Sequence, residues 1–254
     1  MLFSLAGCGV SGYKVNILKV LKEQHYYISF RNDDPLADCV MGAIEVLSSQ
    51  GVSDSLSSKW FGSGVVKFDK NEKALDNIQI PEERTLIIGV DTNAFPFAYE
   101  TDVGIWGFDI EFATAVCDYL GWKIQIMPIE PADVYIQLYS GNIDCAWGGV
   151  ALSDEEFESD SFVSYGPYAD NDIVIATRSG SAVWNTWKLN NKNMAICKTK
   201  EMEDALSEYP SVTKRPYQIL RVVGGTTECF DLLYSGVADA IITDSTAVAY
   251  YNSH

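Results

Sequence analysis

Histidines, metal-ligand motifs and long apolar runs are scarce or missing in this sequence, and each shortage excludes a class of function. The chain has two histidines, His25 and His254, which nearly removes catalytic triads and relays built on histidine. Its six cysteines include no C-x-x-C pair and no histidines at zinc spacing, so no metal site is expected. No apolar run approaches the roughly 18 residues of a membrane-spanning helix, so any membrane link must be an anchor.

Basic residues are also few. The chain carries 18 Lys and Arg against 35 Asp and Glu, a formal net charge of −17, and such a surface repels phosphate backbones and anionic lipid headgroups. Nucleic acid is therefore not an expected partner. With 254 residues, of which 47% are apolar, the chain can form one large domain or two lobes. Cys39, Cys117 and Cys145 lie in apolar stretches and are predicted to be buried thiols.

The first thirteen residues fit two interpretations. A Gly7-x-Gly9-x-x-Gly12 pattern, with Asp33 about 20 residues later, matches a dinucleotide-binding fingerprint. Strand-like residues follow the glycines, however, where a helix should receive the pyrophosphate. The other interpretation is that Leu5-Ala6-Gly7-Cys8 resembles a bacterial lipobox, which makes Cys8 the lipidated residue and residues 1–13 an anchor and tether. Seven residues precede Cys8 and none is basic, so a working signal peptide would need more sequence upstream.

From residue 84 onward, strand-like and helix-like segments alternate, which is typical of a parallel α/β sheet. These segments are RTLIIGVD, DIEFATAVCDYLG, KIQIMPI, ADVYIQLYSG and IDCAWGG. The second segment is predicted to be a helix with Asp109 as its N-cap and Gly121 as its left-handed C-terminal residue. Its apolar stripe consists of Ile110, Ala113, Val116, Cys117 and Leu120.

A repeat occurs within the second half of the chain. LYSGNIDCA at residues 138–146 and LYSGVADAI at residues 233–241 each combine a helix end, a glycine and an aspartate that leads into a strand. The repeat indicates two lobes built from the same unit. A two-lobed α/β protein typically binds a small molecule in a cleft.

Residues 85–250 resemble the amino-acid-binding type of extracellular solute-binding protein found in ABC importers. The matching phrases include LIIGVDTNAFPFAY, GIWGFDIEFATAVCDYLGWKIQIMPI, YGPYADNDIVIATRSG and LLYSGVADAIITDSTAVAYY, in the family's order. The resemblance implies a two-lobed α/β protein with the type II periplasmic-binding-protein fold and a hinge. It also implies an extracytoplasmic monomer, either periplasmic or held at the membrane by a lipid, which hands its ligand to an ABC permease without a cofactor or catalytic residues.

The resemblance further implies that the chain is circularly permuted. The family's usual ending, a return strand and two helices, is missing after Tyr251, but residues 14–62 resemble it. Asp34 would be the N-cap of the first of these helices and Pro35 its first residue. Residues 63–83 would link the old end to the old beginning. On this interpretation lobe 1 contains residues 27–171, and lobe 2 contains residues 14–26 and 172–254.

The resemblance also implies roles for particular side chains. Asp244 corresponds to the family aspartate that holds the ligand's α-amino group, and Asp91 to a position at the cleft edge. Trp147 is the candidate for stacking on the ligand, with Gly149 and Phe95 at neighbouring cleft positions. Each of the first three has a simpler interpretation: Asp244 as a helix N-cap, Asp91 as a turn residue and Trp147 as a core residue.

The pole that should bind the ligand's carboxylate departs from the family pattern. Glu156 replaces the arginine that clamps this group, and Thr199-Lys200-Glu201 replaces a Gly-Thr-Thr phrase. A like charge at contact distance repels a free carboxylate, so we expect an amine-bearing ligand whose carboxylate is absent, masked, or held by Lys198 or Lys200. Two alternatives remain: a sensor or degenerate interaction module of the same fold, and a dehydratase-like enzyme that uses Asp91 and Glu156 as acid and base.

Overall fold

The computed structural model describes residues 14–62, 64–151, 162–197, 200–209, 218–222 and 225–254. The strands in chain order are β1 Val15–Lys22, β2 His25–Phe30, β3 Thr85–Val90, β4 Tyr99–Thr101, β5 Gly104–Trp106, β6 Lys123–Pro128, β7 Cys145–Ala146, β8 Val163–Asp170, β9 Ile173–Arg178, β10 Asn193–Cys197, β11 Gln218–Val222 and β12 Ala240–Asp244. The α-helices are α1 Leu36–Ser49, α2 Val52–Phe61, α3 Phe108–Leu120, α4 Val134–Tyr139, α5 Lys200–Ser207, α6 Gly225–Ser235 and α7 Ser245–Ser253. Short 3₁₀ helices span Pro131–Asp133 and Thr186–Leu189.

The chain divides into two compact units. Unit 1 consists of the chain up to Lys22 and Ile173–Asn252, and unit 2 consists of Glu23–Asp172 with Ser253–His254. The chain therefore enters unit 2 after β1 and leaves it after β8. Each unit is built from segments that lie far apart in the sequence.

Unit 2 contains a five-stranded sheet with the order β6-β3-β7-β2-β8. β6, β3 and β7 are parallel, as the alternating pattern predicted. β2, from the front of the chain, runs antiparallel to both β7 and β8, with Ser29 opposite Ala146 and Ser164. The sheet is therefore mixed and not purely parallel, because its fourth strand does not come from a strand–helix–strand repeat.

The helix α3 confirms the predicted stripe, since all five of its apolar residues are buried. Gly121 ends the helix with φ +74°, also as predicted. The prediction that Asp109 is the N-cap was wrong, because Gly107 occupies that position and Asp109 lies within the first turn. The Asp109 side chain is buried and accepts hydrogen bonds from other elements of unit 2.

The front helices pack as the sequence predicts. The residues that share the apolar stripe of α1, namely Leu36, Val40, Ala43, Ile44 and Leu47, are all buried. α1 begins at Leu36 with Pro35 as the N-cap, one residue later than predicted. Asp34 Oδ1 accepts a hydrogen bond from the Leu36 backbone N–H at 3.0 Å, so this side chain still satisfies a helix-start donor. α2 ends before Gly62 at φ +73°, and its last two residues, Trp60 and Phe61, are buried.

Residues 64–83 make specific contacts within unit 2. The Lys67 backbone N–H donates to the Tyr168 carbonyl at 2.8 Å. The Phe68 ring stacks on the Tyr168 ring with a centroid distance of 5.2 Å. Further along, the Trp122 indole N–H donates to the Pro81 carbonyl at 2.8 Å. The segment therefore lies against the body of the unit along much of its length.

Unit 1 contains a second five-stranded sheet, with the order β1-β9-β12-β10-β11. β1 is an edge strand antiparallel to β9 and begins with Val15 opposite Arg178. The Asn252 side chain of α7 accepts a hydrogen bond from Val15 N–H at 2.8 Å and donates one to the Val15 carbonyl at 2.9 Å. Because a strand and not a helix follows the N-terminal glycines, the dinucleotide interpretation of that motif fails.

The internal repeat performs the same structural task in both units. In unit 2, Asp144 accepts from the Ile87 backbone N–H at 2.9 Å and from Arg84 at 2.9 Å. In unit 1, Asp239 accepts from the Asn193 backbone N–H at 3.0 Å and from the Lys192 ammonium at 3.0 Å. Each aspartate thus ties the loop after its LYSG phrase to the start of a neighbouring parallel strand. The predicted repeat is confirmed as a shared structural unit.

The cysteines confirm their prediction. Cys39, Cys117 and Cys145 are buried free thiols, and so is Cys229. Burial raises the pKa of Cys117 to about 12, so this thiol is protonated and inert at neutral pH. None of the helices in the described ranges has both the length and the apolar character that crossing a bilayer requires.

Candidate functional site

In unit 2, the candidate residues gather where two parallel strands end. β3 ends at Val90, directly before Asp91, and β7 ends at Ala146, directly before residues 147–149. The Asp91 backbone N–H donates to the Gly148 carbonyl at 3.0 Å, so the two strand ends are joined. Ligands of open α/β sheets bind at the carboxyl ends of such strands. The structure therefore brings Asp91, Trp147 and Gly149 to one edge.

Asp91 forms a tight turn at this edge. Its Oδ1 accepts from the Asn93 backbone N–H at 2.9 Å and from the Asn93 side-chain amide at 3.2 Å. Its carbonyl accepts from the Ala94 N–H at 3.2 Å. Phe95 follows, and its ring meets the Tyr99 ring edge-on at a centroid distance of 4.8 Å. Asp91 is half-buried, so its carboxylate both stabilises the turn and contributes negative charge.

Trp147 is a core residue. Its side chain is fully buried, and its ring meets Phe112 edge-on at 5.8 Å. The indole N–H donates to Asp109 Oδ1 at 3.2 Å. This burial favours the simpler of the two interpretations of Trp147, in which the indole supports the strand end from within the unit.

Asp109 is the functional candidate that the sequence reasoning missed. Besides Trp147, its carboxylate accepts from the Gly149 backbone N–H at 2.9 Å and from the Tyr168 hydroxyl at 2.6 Å. Burial raises the pKa of Asp109 to about 7, although these hydrogen bonds favour the ionised form. A signal was present in the sequence, because Asp109 precedes Ala113 by one turn and so lies on the buried stripe of α3.

Gly149 occupies a position that only glycine fits. Its φ is +65°, and a Cβ placed on it would lie 2.1 Å from the Cβ of Ala94. The residue before it is equally confined, because a Cβ on Gly148 would lie 2.5 Å from Val90. Residues 147–149 therefore lie directly against the end of β3.

In unit 1, Asp244 is the last residue of β12 and is buried, with 7% of its surface exposed. It lies opposite Ile173 of β9, and α7 begins at the next residue, Ser245. Lys200, which is exposed, is the first residue of α5, shortly after β10. Because β10 and β12 are parallel, Lys200 and Asp244 belong to the same edge of this sheet.

The other predicted site residues are not among those that the structure places at these sheet edges. Glu156, Thr199, Lys198 and Cys8 lie outside the described residues. Across the described ranges, no cluster of three or more His, Cys, Asp or Glu side chains could hold a metal ion.

Two α/β units, each with polar side chains at the carboxyl ends of parallel strands, are typical of the type II periplasmic-binding-protein class. Residues 86–247, more than half of the chain, match the model of the bacterial extracellular solute-binding proteins, family 3. The chain belongs to this family, which confirms the resemblance drawn from the sequence.

Known relatives and a solved structure agree with this assignment. The chain is 25% identical over 179 residues to a probable amino-acid ABC transporter-binding protein of Haemophilus influenzae, covering 69% of this chain and 66% of that protein. It is 28% identical over 104 residues to the L-cystine-binding protein TcyJ of Escherichia coli, covering 41% of this chain and 38% of that protein. The matches thus span less than two thirds of these relatives. The fold is similar to that of an ancestral cationic amino acid solute binding protein, AncCDT-1, with a TM-score of 0.50, 24% identity, and coverage of 66% of this chain and 72% of that one.

Proposed function

We propose that this protein is the extracytoplasmic substrate-binding component of an ABC importer and binds an amino acid or related amine-bearing molecule. The observation that carries the proposal is Asp244, a buried carboxylate at the end of β12 in a chain of the solute-binding family. The names of the Haemophilus and Escherichia relatives, which refer to amino acids and to L-cystine, support the ligand class. In this proposal the protein releases its solute unchanged.

The amine is the group for which the candidate residues are best suited. A carboxylate that is mostly removed from water forms a charge-assisted hydrogen bond with an ammonium group worth roughly 1.5–3 kcal/mol. Asp244 and Asp91 are both acids at the carboxyl ends of buried strands. The chain's net charge of −17 also attracts a cationic solute over long distances.

The carboxylate of an ordinary amino acid has a weaker partner. This chain has Glu156 where the family pattern has arginine. Among the described residues, the exposed Lys200 is a cation at the same sheet edge as Asp244. Lysine is a single point charge and cannot replace the two-pronged grip of a guanidinium. We therefore propose a preference for cationic amino acids, amino-acid amides or polyamines over acidic amino acids.

The localisation and the chain order complete the proposal. The LAGC phrase would place a lipid on Cys8 and hold a monomeric protein at the outer face of the cell membrane. The front of the chain would be the family's ending moved forward by circular permutation. The strands β1 and β2, which lie within the sheets of unit 1 and unit 2 respectively, support this proposal.

A thermal-shift panel followed by calorimetry tests the ligand proposal. The panel contains L-arginine, L-lysine, L-cystine, L-glutamate, argininamide and spermidine, each at 1 mM. A ligand with a Kd of about 10 μM stabilises the protein by about 2.7 kcal/mol, which raises Tm by roughly 5–10 °C in a chain of this size. If no amine in the panel raises Tm, the proposal is wrong.

The variant Asp244→Asn tests whether Asp244 binds the amine of the ligand. Loss of one charge-assisted bond should weaken the best ligand of the panel about 10- to 150-fold while leaving the fold intact. Asp204→Asn is the matched control, because it removes the same charge from an exposed position in the same unit. Equal affinities for the Asp244→Asn variant and the unmodified protein would show that the amine is bound elsewhere.

A further inference from the structure

The Asp109 carboxylate joins three parts of unit 2. It lies in the first turn of α3 with none of its surface exposed. It receives hydrogen bonds from Trp147 and Gly149, which follow β7, and from Tyr168 in β8. All three partners are donors, and a fully ionised carboxylate can accept from all of them at once.

Among the described residues, the segment that Asp109 holds is also positioned by close packing and by two backbone hydrogen bonds, one of which joins the Trp147 N–H to the Gly89 carbonyl at 2.9 Å. Gly148 and Gly149 lie so close to Val90 and Ala94 that neither tolerates a Cβ. The Gly148 carbonyl accepts from the Asp91 N–H. A shift of Gly149 therefore moves the turn that carries Asp91 as well.

We propose that Asp109 is a positioning residue of the binding site: its ionised carboxylate fixes residues 147–149, and protonation of that carboxylate releases them and weakens ligand binding. The effect on binding rests on the proposed function, in which Asp91, whose backbone N–H is bonded to the Gly148 carbonyl, belongs to the ligand site. The positioning role itself concerns unit 2 alone.

The chemistry of the three donors explains the coupling to protonation. A proton on Asp109 needs an acceptor, and neither the Trp147 indole nor the Gly149 amide can provide one. Protonation must therefore displace a donor or turn the Tyr168 hydroxyl around. Among the described residues, the titratable groups that face this carboxylate are Tyr168 itself and, behind it, Tyr26. Burial raises the pKa of Asp109 to about 7, so the change falls within the physiological range.

The test follows the Gly149 amide of ¹⁵N-labelled protein by NMR from pH 5 to pH 9, without ligand. We expect its proton resonance to titrate with a midpoint near neutral pH and to stop titrating in Asp109→Asn. Asp118→Asn is the matched control, since it removes an exposed carboxylate from the same helix and should leave the titration unchanged. A Gly149 amide that does not titrate, or that titrates equally in Asp109→Asn, overturns the proposal.

A second variant covers the case in which Asp109→Asn does not fold. Tyr168→Phe removes one donor to the ionised carboxylate, which should move the Gly149 midpoint to higher pH. An unchanged midpoint overturns the proposal.

Calorimetry with L-arginine at pH 6 and pH 8 then tests the effect on binding. We expect affinity about 5- to 10-fold higher at pH 8 in the unmodified protein and no such difference in Asp109→Asn. The same pH dependence in both proteins overturns the link to affinity. Absence of binding by every amine of the panel counts against the proposed function, and the Gly149 titration still decides the positioning role.

Discussion

The substitution Asp144→Asn should reveal how strongly the front of the chain is built into unit 2. The Asp144 carboxylate, whose side chain is 11% exposed, accepts from Arg84 at 2.9 Å and lies 3.5 Å from Arg31. Arg31 follows β2, and it also donates to the Ile143 carbonyl at 2.7 Å. Asparagine keeps the shape and can still accept from the Ile87 N–H, but it removes the charge that the two guanidinium groups face.

The size of the effect follows from burial. Breaking a buried ion pair costs about 3–5 kcal/mol, because the remaining charge stays desolvated. Arg31 and Arg84 are 30% and 33% exposed, so water compensates in part, and Arg31 keeps a second partner in Asp34 at 2.6 Å. We therefore expect the free energy of unfolding to fall by about 2–3 kcal/mol.

Urea denaturation followed by circular dichroism measures this loss. With a slope of about 3 kcal/mol per M, the midpoint should fall by roughly 0.8 M. The matched control is Asp54→Asn, which removes the same charge from an exposed pair with Lys70 at 2.6 Å and should cost less than about 0.5 kcal/mol. Equal losses in the two variants would refute the reasoning.

Two further predictions concern Asp109 and the 64–83 segment. The pKa of Asp109 is raised to about 7 in the folded protein and lies near 4 in the unfolded chain, so the folded state holds this proton more tightly. The resulting contribution to the free energy of unfolding is fully present below pH 4 and is lost as the pH rises to 7. Unfolding measured across this range should show a slope of up to about −1.4 kcal/mol per pH unit that disappears in Asp109→Asn, and an identical slope in both proteins contradicts it. Phe68→Ala removes a ring that contacts Tyr168 and Phe112 at 5.2 and 5.1 Å, so it should destabilise the protein by about 2 kcal/mol in the same urea assay; Val103→Ala, at a 97% exposed position, is its control, and a neutral Phe68→Ala would show that the segment is a loose linker.

Periodicity and capping residues predicted the helices well, because both are local properties of the chain. The stripe of α3, its end at Gly121 and the hydrogen bond of Asp34 at the start of α1 follow directly from the sequence. The LYSG repeat was equally informative, since Asp144 and Asp239 perform the same task in the two units. Each of these features is decided within a few residues or within one motif.

The sequence was less informative about side chains whose environment is tertiary. Asp109 fits the pattern of an N-cap, yet its partners are 38 to 59 residues away in the sequence, and no local pattern shows them. Trp147 was a candidate for ligand contact because it follows a strand, but packing against Phe112 places it in the core. Residues 64–83 contain many polar side chains, and this composition hid the few apolar residues, such as Phe68, that attach the segment to unit 2.

Residues 14–62 complete two units whose other strands come from later in the chain, which is the arrangement that the proposed circular permutation requires. The most direct test is a rearranged chain that runs from residue 63 to 254 and continues, through a short Gly-Ser linker, into residues 14–62. Val15 and Asn252 already share two hydrogen bonds, so the new connection is short and every packed segment is retained. We expect cooperative unfolding with a Tm within a few degrees of the original chain and the same ligand profile. A rearranged chain that fails to fold would contradict it.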